Sequence, residues 1–175
     1  NSDAGSNVRS RLSPRGFKEM GIGWYRYELT PKAEWKGKRI VLDFQGIMLV
    51  GDVYLNGQRV GGTDYGYLGF DIDLSKLLKW GQVNEIIVKA DTGKPNNSRW
   101  YTGGGLFRDV NLIVTDKNLY FPRHPLFIRT VNNKEIKIRT NILNLQKTKK
   151  PQIPVEVKIL NAEGKVVAQQ KSDLH

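Results

Sequence analysis

The sequence predicts an all-β chain of β-sandwich layers, and three observations predict it. From Trp24 onward apolar and polar residues alternate with a period of two, which turns one face of an extended strand toward a core. The pair Asn56-Gly57 lies between two such runs, and a type I′ turn needs two residues of positive φ at that place. Gly, Pro and Asn recur between the runs, and almost no segment has a helical period.

Residues 1–20, NSDAGSNVRSRLSPRGFKEM, show no period and read as irregular or extended chain. In WYRYEL, Tyr25, Tyr27 and Leu29 share one strand face while Trp24, Arg26 and Glu28 share the other. TPKAEWKGK follows as a polar connection, with Pro31 and Gly37 as breakers. In RIVLDFQG, Ile40, Leu42 and Phe44 point one way, Asp43 and Gln45 the other. DVYLNGQRVG is a tight hairpin, entered by Val53 and Leu55 and left by Arg59 and Val60. GYLGFDIDLSKLLKWG starts as a strand through Phe70 and Ile72. Asp73 then caps a short helical turn, with Leu77 and Leu78 expected to be buried and Gly81 to end it. NEIIVKAD and RDVNLIVTD are two further strands. Six or more strands joined by turns, with little helix, make a sandwich.

Beyond Asp116 the style changes to strands set among basic loops and prolines: NLYFPRHPLFIRTV, EIKIRTNILNL and PVEVKILNAEGKVVAQQ. Asn161 to Gly164 reads as a hairpin turn. Residues 117–175 are too few for a complete immunoglobulin-like sandwich of about 100 residues, so they are expected to be the first part of a second, truncated sandwich. The boundary is placed at residues 1–116 and 117–175.

The 175 residues include 39% hydrophobic ones, enough for a core, and no cysteine, which excludes disulfides and thiolate metal sites. No apolar run is long enough to cross a bilayer as a helix, and no leader is visible at the start, so no membrane partner is expected. The net charge of +11 raises the question of nucleic acid. Its lysines and arginines are scattered, and the densest patch, QKTKK at 146–150, precedes Pro151 in a loop. With no recognition helix, aromatic RNA motif or zinc finger, the charge reads as a solvated surface, and no nucleic-acid partner is expected.

Six segments in order carry a resemblance: GIGWYRYEL at 21–29, GKRIVLDFQG at 37–46, DVYLNGQRVG at 52–61, GYLGFDID at 66–73, NEIIVKAD at 84–91 and RWYTGGGLFRDVNL at 99–112. Together they resemble the amino-terminal region of family 2 glycoside hydrolases, most of all the bacterial β-galactosidases, over roughly residues 21–115. The resemblance implies a jelly-roll sugar-binding domain, then an immunoglobulin-like sandwich, then a (β/α)₈ barrel that holds the catalytic acid and nucleophile. It also implies a parent enzyme that hydrolyses terminal β-galactosides with retention, often exported to the periplasm, with no cofactor. Two departures stand out. The family's leading strand and its tryptophan are not recognisable in residues 1–20, and the barrel is absent. A missing strand leaves an edge bare, which invites pairing between copies of the chain.

No catalytic residue is assigned. Glycoside hydrolysis needs two carboxyl groups roughly 5 to 9.5 Å apart, and Asp71 and Asp73, on one strand face, have a suitable spacing of about 6.5 to 7 Å. A solvated Asp71 and a capping Asp73 explain the same pattern without chemistry. His124, between Arg123 and Pro125, and terminal His175 lack metal-ligand spacing. Ser98 has no nearby base, and the glycine run is not followed by the Lys-Ser/Thr of a phosphate loop.

NSRWYTGGGLFRDV, residues 97–110, is the candidate site. Trp100 and Tyr101 could fill the core while glycines permit a bulge; the polar lead-in KPNNSR argues for a loop end, where sandwiches place recognition residues. Aromatic rings stack on the C–H faces of sugars while Arg and Asn bond the hydroxyls. The resemblance implies that Asn97, Ser98, Arg99 and Trp100 lie nearest substrate in the assembled enzyme, with Tyr101 open between ligand and core. Gly103, Gly104 and Gly105 then act as the hinge, since glycine permits sharp turns and close backbone approach. Arg108 and Asp109 are expected to form a structural pair. The leading expectation is thus a non-catalytic region that packs on the barrel and shapes its pocket. A free-standing carbohydrate-binding module and a scaffolding sandwich are the alternatives.

Overall fold

The computed structural model describes residues 21–93, 104–132, 135–146 and 153–174, which among them form strands and turns with no α-helix. The first strands are β1 (Ile22–Leu29), β2 (Arg39–Phe44), β3 (Ile47–Met48), β4 (Val50–Leu55) and β5 (Gln58–Thr63). They are followed by β6 (Phe70–Asp73), β7 (Asn84–Asp91), β8 (Gly105–Leu106) and β9 (Val110–Thr115). Antiparallel pairing gives a four-stranded sheet ordered β1-β7-β4-β5, a three-stranded sheet ordered β6-β2-β9, and the short pair β3-β8.

Side chains that alternate along these strands meet between the two larger sheets. Val53 and Leu55 of β4, and Ile86, Val88 and Ala90 of β7, point inward. They join Ile40, Leu42 and Phe44 of β2, and Ile40 and Phe44 are fully buried. Val41, on the opposite face of β2, is equally buried. The segment 119–125 covers that outer face, so Val41 is buried there although its neighbours on that face, Arg39 and Asp43, are charged.

The hairpin between β4 and β5 turns on Asn56 (φ 50°) and Gly57 (φ 82°), the type I′ geometry expected from the sequence. A bulge follows it: Tyr54 faces Arg59, but Val53 faces Gly61. Asn84, fully buried at the start of β7, ties this corner together. Its Oδ1 accepts from Asn56 Nδ2 (3.0 Å) and Lys79 N (2.8 Å), and its Nδ2 donates to Lys79 O (2.8 Å) and Gln82 O (3.2 Å).

Asp73 does cap the turn that follows β6: its Oδ1 accepts from Ser75 N (2.9 Å) and Ser75 Oγ (2.5 Å). Only one turn forms, with Leu77 N and Leu78 N both bonded to Leu74 O. Leu74 and Leu78 are buried and Leu77 is 41% exposed, so the expected burial holds for Leu78 and is corrected for Leu77. A single turn offers one inward direction, and the pair i, i+4 takes it. The polar connection 30–38 also holds a short 3₁₀ turn, Ala33–Trp35, whose Trp35 packs half-buried against the core.

β1 and β9 are the outer edges of their sheets, and an apolar cleft of about 530 Å³ opens between them. Tyr25, Tyr27 and Leu29 line it from β1, Val110 and Leu112 from β9, and Phe44 and Val88 form part of its floor. Only Leu29 of the β1 trio is buried; Tyr25 and Tyr27 remain 40% and 65% exposed on their inward face.

Six strands follow Asp116 among the described residues: β10 (Leu119–Tyr120), β11 (Leu126–Asn132), β12 (Glu135–Thr140), β13 (Leu143–Asn144), β14 (Ile153–Leu160) and β15 (Val166–Leu174). They pair as β10-β13, β11-β12 and β14-β15. The last hairpin turns at Asn161–Gly164, where Asn161 O accepts from Gly164 N (3.0 Å) and Gly164 has φ 77°. Among the described residues of these six strands no side chain is buried.

Candidate functional site

The loop proposed from the sequence starts after β7 and ends at β8. Asn97, Ser98, Arg99, Trp100, Tyr101 and Gly103 lie outside the described residues; its two ends are described. At one end Thr92 is buried. Its Oγ1 accepts from Gly21 N (3.0 Å) and donates to Gly21 O (2.9 Å), while Thr92 N donates to Gly21 O (2.9 Å). At the other end Gly104 packs on Thr92, so closely that a Cβ at 104 would lie 2.9 Å from Thr92 Cγ2. The two ends therefore meet at one point of the sandwich.

Gly105 has φ 86°, a left-handed conformation that other residues adopt at a cost. A Cβ there would also run into the Tyr25 hydroxyl, which sits over the Gly105 backbone and accepts a long bond from Leu106 N (3.4 Å). β8 then pairs with β3 through Met48↔Gly105 and Ile47↔Leu106. Gly104 and Gly105 thus permit a close approach at the base of the loop.

Arg108 and Asp109 do not pair with each other. Arg108 lies over the Phe107 ring, 4.9 Å from its centroid, and donates weakly to Gln45 O (3.4 Å), while Asp109 O accepts from Gln45 N (3.0 Å). Both lie in the bend between β8 and β9 rather than on a strand, and each makes its own contact there.

The carboxylates on β6 take structural partners. Antiparallel register sets Asp43 of β2 directly opposite Asp71 of β6. Two carboxylates facing each other across strands repel. Arg123 resolves this: its Nη1 donates to Asp71 Oδ1 (2.7 Å) and to Asp43 Oδ1, and its Nη2 reaches Phe44 O (3.3 Å). Gly69 leaves space for the guanidinium, into which a Cβ would project. Asp73, one turn of the pleat further along, is held by Ser75 and lies 3.6 Å from Arg39 Nε. Asp71 is therefore an ion-pair partner at an exposed strand position, and Asp73 is the cap of the following turn.

The Arg123 clamp holds segment 119–125 on the outer face of the sheet β6-β2-β9, where a groove of about 860 Å³ remains beneath it. Tyr120 stacks under Arg39 at 4.2 Å, and His124 (φ 50°) accepts from Arg123 Nε (3.2 Å). The segment begins at Asp116, whose Oδ1 accepts from Asn118 N (2.8 Å) and Leu119 N (2.9 Å). Those two amides, Asn118 first, hold its carboxyl below the usual carboxylate range, with a further contribution from Lys38. Among the described residues no group of three or more His, Asp or Glu is arranged to hold a metal ion.

Comparison with known proteins agrees with this architecture. A profile described as glycosyl hydrolases family 2, sugar binding domain, matches residues 13–116, more than half of the chain. A β-galactosidase from Bacteroides ovatus is 31% identical over 156 residues, covering 87% of this chain and 18% of that protein. A β-glucuronidase from Bacteroides fragilis is 33% identical over 121 residues, covering 66% of this chain and 17% of that protein. The crystal structure of a family 2 glycosyl hydrolase from Bacteroides cellulosilyticus superposes with a TM-score of 0.80 at 28% identity, over 90% of this chain and 22% of that one. The chain spans about a fifth of the length of these relatives. With its β-sandwich, its anchored loop and a profile match from residue 13 to residue 116, the chain belongs to family 2 of the glycosyl hydrolases.

Proposed function

We propose that this chain is the non-catalytic amino-terminal region of a family 2 glycosidase, a β-galactosidase that hydrolyses terminal β-galactosides. Residues 1–116 are a jelly-roll sugar-binding domain, and 117–175 are part of an immunoglobulin-like sandwich. The region packs on a catalytic (β/α)₈ barrel elsewhere in the protein, which supplies the acid and the nucleophile, while Asn97, Ser98, Arg99 and Trp100 shape the pocket for the terminal sugar. The observation that carries this reading is the family match over 13–116, in a chain about a fifth as long as its relatives.

The anchored loop supports the positioning role. A recognition loop that must meet a partner domain benefits from fixed ends, because each disordered residue has to be ordered when the site assembles. Thr92, Gly104, Gly105 and Tyr25 supply that fixed base. The choice of galactoside rests on the resemblance of RWYTGGGLFR to β-galactosidases, although the relatives include a β-glucuronidase as well.

The test is to express the complete protein that contains this chain and assay aryl β-galactoside, β-glucuronide and β-mannoside. Fastest turnover of the galactoside is expected. Preference for the glucuronide would overturn the specificity, and no hydrolysis of any glycoside would overturn the reading.

A further inference from the structure

The outer face of the sheet β1-β7-β4-β5 carries aromatic rings that neither the core nor the loop base uses. Register sets Trp24 opposite Lys89 and Lys89 opposite Asp52. One step along, Ile87 faces Tyr54, and Tyr54 faces Arg59. Trp24 and Tyr54 stand on the two strands that flank β7 and lean toward each other across it, with centroids 6.4 Å apart and planes inclined by 36°. Together they form a shallow ledge, and Trp24 is 61% exposed. A side chain of this size normally gains from burial, so an exposed one beside a second ring is a feature to explain.

The charges around the ledge narrow the choice of ligand. Arg26 is held between Glu28 (2.7 Å) and Glu85 (2.5 Å), and Arg59 is held by Asp52 (2.7 Å). With Lys89 and Asp91, the face carries three cations and four carboxylates, on a chain whose net charge is +11. A binding face for an acidic polymer would concentrate that excess; this one cancels it. A protein partner would have to desolvate the ion pairs, a cost that their mutual attraction often fails to offset. Sugar hydroxyls, by contrast, can bond to charged groups already held in place by one another, and C–H faces can lie on the rings. The ledge also lies toward the end of β7 that leads into the loop base at Thr92.

From this we propose that the Trp24–Tyr54 ledge is a binding surface for a neutral polysaccharide, separate from residues 97–101 and independent of any catalytic barrel.

Affinity electrophoresis of the 175-residue chain through gels containing β-1,4-galactan, galactomannan or xyloglucan tests this, with polygalacturonate and polymer-free gels alongside. At least one neutral polymer should retard the chain, and Trp24→Ala and Tyr54→Ala should each weaken that retardation about tenfold, the scale of one lost stacking contact. Trp24→Tyr should keep most of it, which separates ring loss from misfolding, and Trp100→Ala should leave it unchanged. Three outcomes would overturn the proposal: no retardation by any neutral polymer, equal retardation of Trp24→Ala, or a salt-resistant preference for polygalacturonate. Sedimentation showing that the chain self-associates through Trp24 would also overturn it, in favour of a second copy as occupant. Hydrolysis of a small aryl galactoside by the complete protein should not change in Trp24→Ala, so this proposal and the enzymatic reading fail separately.

Discussion

At Gly105 two separate demands fall on one residue: a positive φ of 86° and contact with the Tyr25 hydroxyl. Gly57 provides a control, because its φ of 82° is similar but nothing lies within 4 Å of a Cβ placed there. Gly57→Ala should therefore cost only the left-handed penalty, about 1 to 2 kcal/mol, whereas Gly105→Ala adds displacement of Tyr25 and should cost about 2 to 4 kcal/mol. Urea unfolding of both variants checks the difference; equal costs would mean that Tyr25 yields freely. Arg123 is the second residue on which much depends. Its loss leaves Asp43 and Asp71 facing each other, with side chains 13% and 29% exposed. Because the cluster is partly solvated, Arg123→Ala should cost about 1 to 3 kcal/mol rather than the full penalty of a buried broken pair. Limited proteolysis should then cut within 119–125 sooner than in the parent chain.

At the scale of elements, Asn84 joins the end of β1, the β4–β5 turn and the 79–82 turn through one buried amide. Asn84→Ala would leave several buried amides and carbonyls without partners, and the expected loss is about 2 to 4 kcal/mol by denaturant unfolding. Asp116 connects β9 to the clamp segment, and its lowered pKa sets a sign for pH. A carboxyl whose folded pKa is depressed adds stability above its unfolded value, about 3.9, and that contribution is lost as pH falls through the folded value. Asp116→Asn should therefore lie below the parent in stability at pH 7 and converge with it on acidification below about pH 4. A constant offset across that range, measured by thermal unfolding, would contradict the assignment. Elements were legible where their chemistry is local. Asn56-Gly57 and Asn161–Gly164 turn where the sequence says they should, NEIIVKAD is a strand as expected, and alternation in RIVLDFQG finds the buried Ile40, Leu42 and Phe44 but not Val41 on the other face. Leu77 was misread because a single turn has no second period to fix its direction. The Arg123 clamp was invisible because its partners lie 80 and 52 residues away and come together only through the β2–β6 register.

At the scale of the whole molecule, the chain's basic charge says nothing of its role, while the order of six ordinary segments says a great deal. The carboxylates whose spacing comes nearest to a catalytic pair, Asp71 and Asp73, are engaged by Arg123 and Ser75. What remains is a sandwich on which Thr92 and Gly104, the two ends that flank the candidate loop, lie against each other. The central claim is that this loop completes a pocket built mainly by another domain. Steady-state kinetics of the complete protein with Trp100→Ala test it most directly, alongside a thermal midpoint to confirm folding. The account predicts that kcat/KM for an aryl β-galactoside falls about tenfold or more, as expected for the loss of roughly 1.4 kcal/mol of contact with the sugar. An unchanged kcat/KM in a folded variant would contradict it.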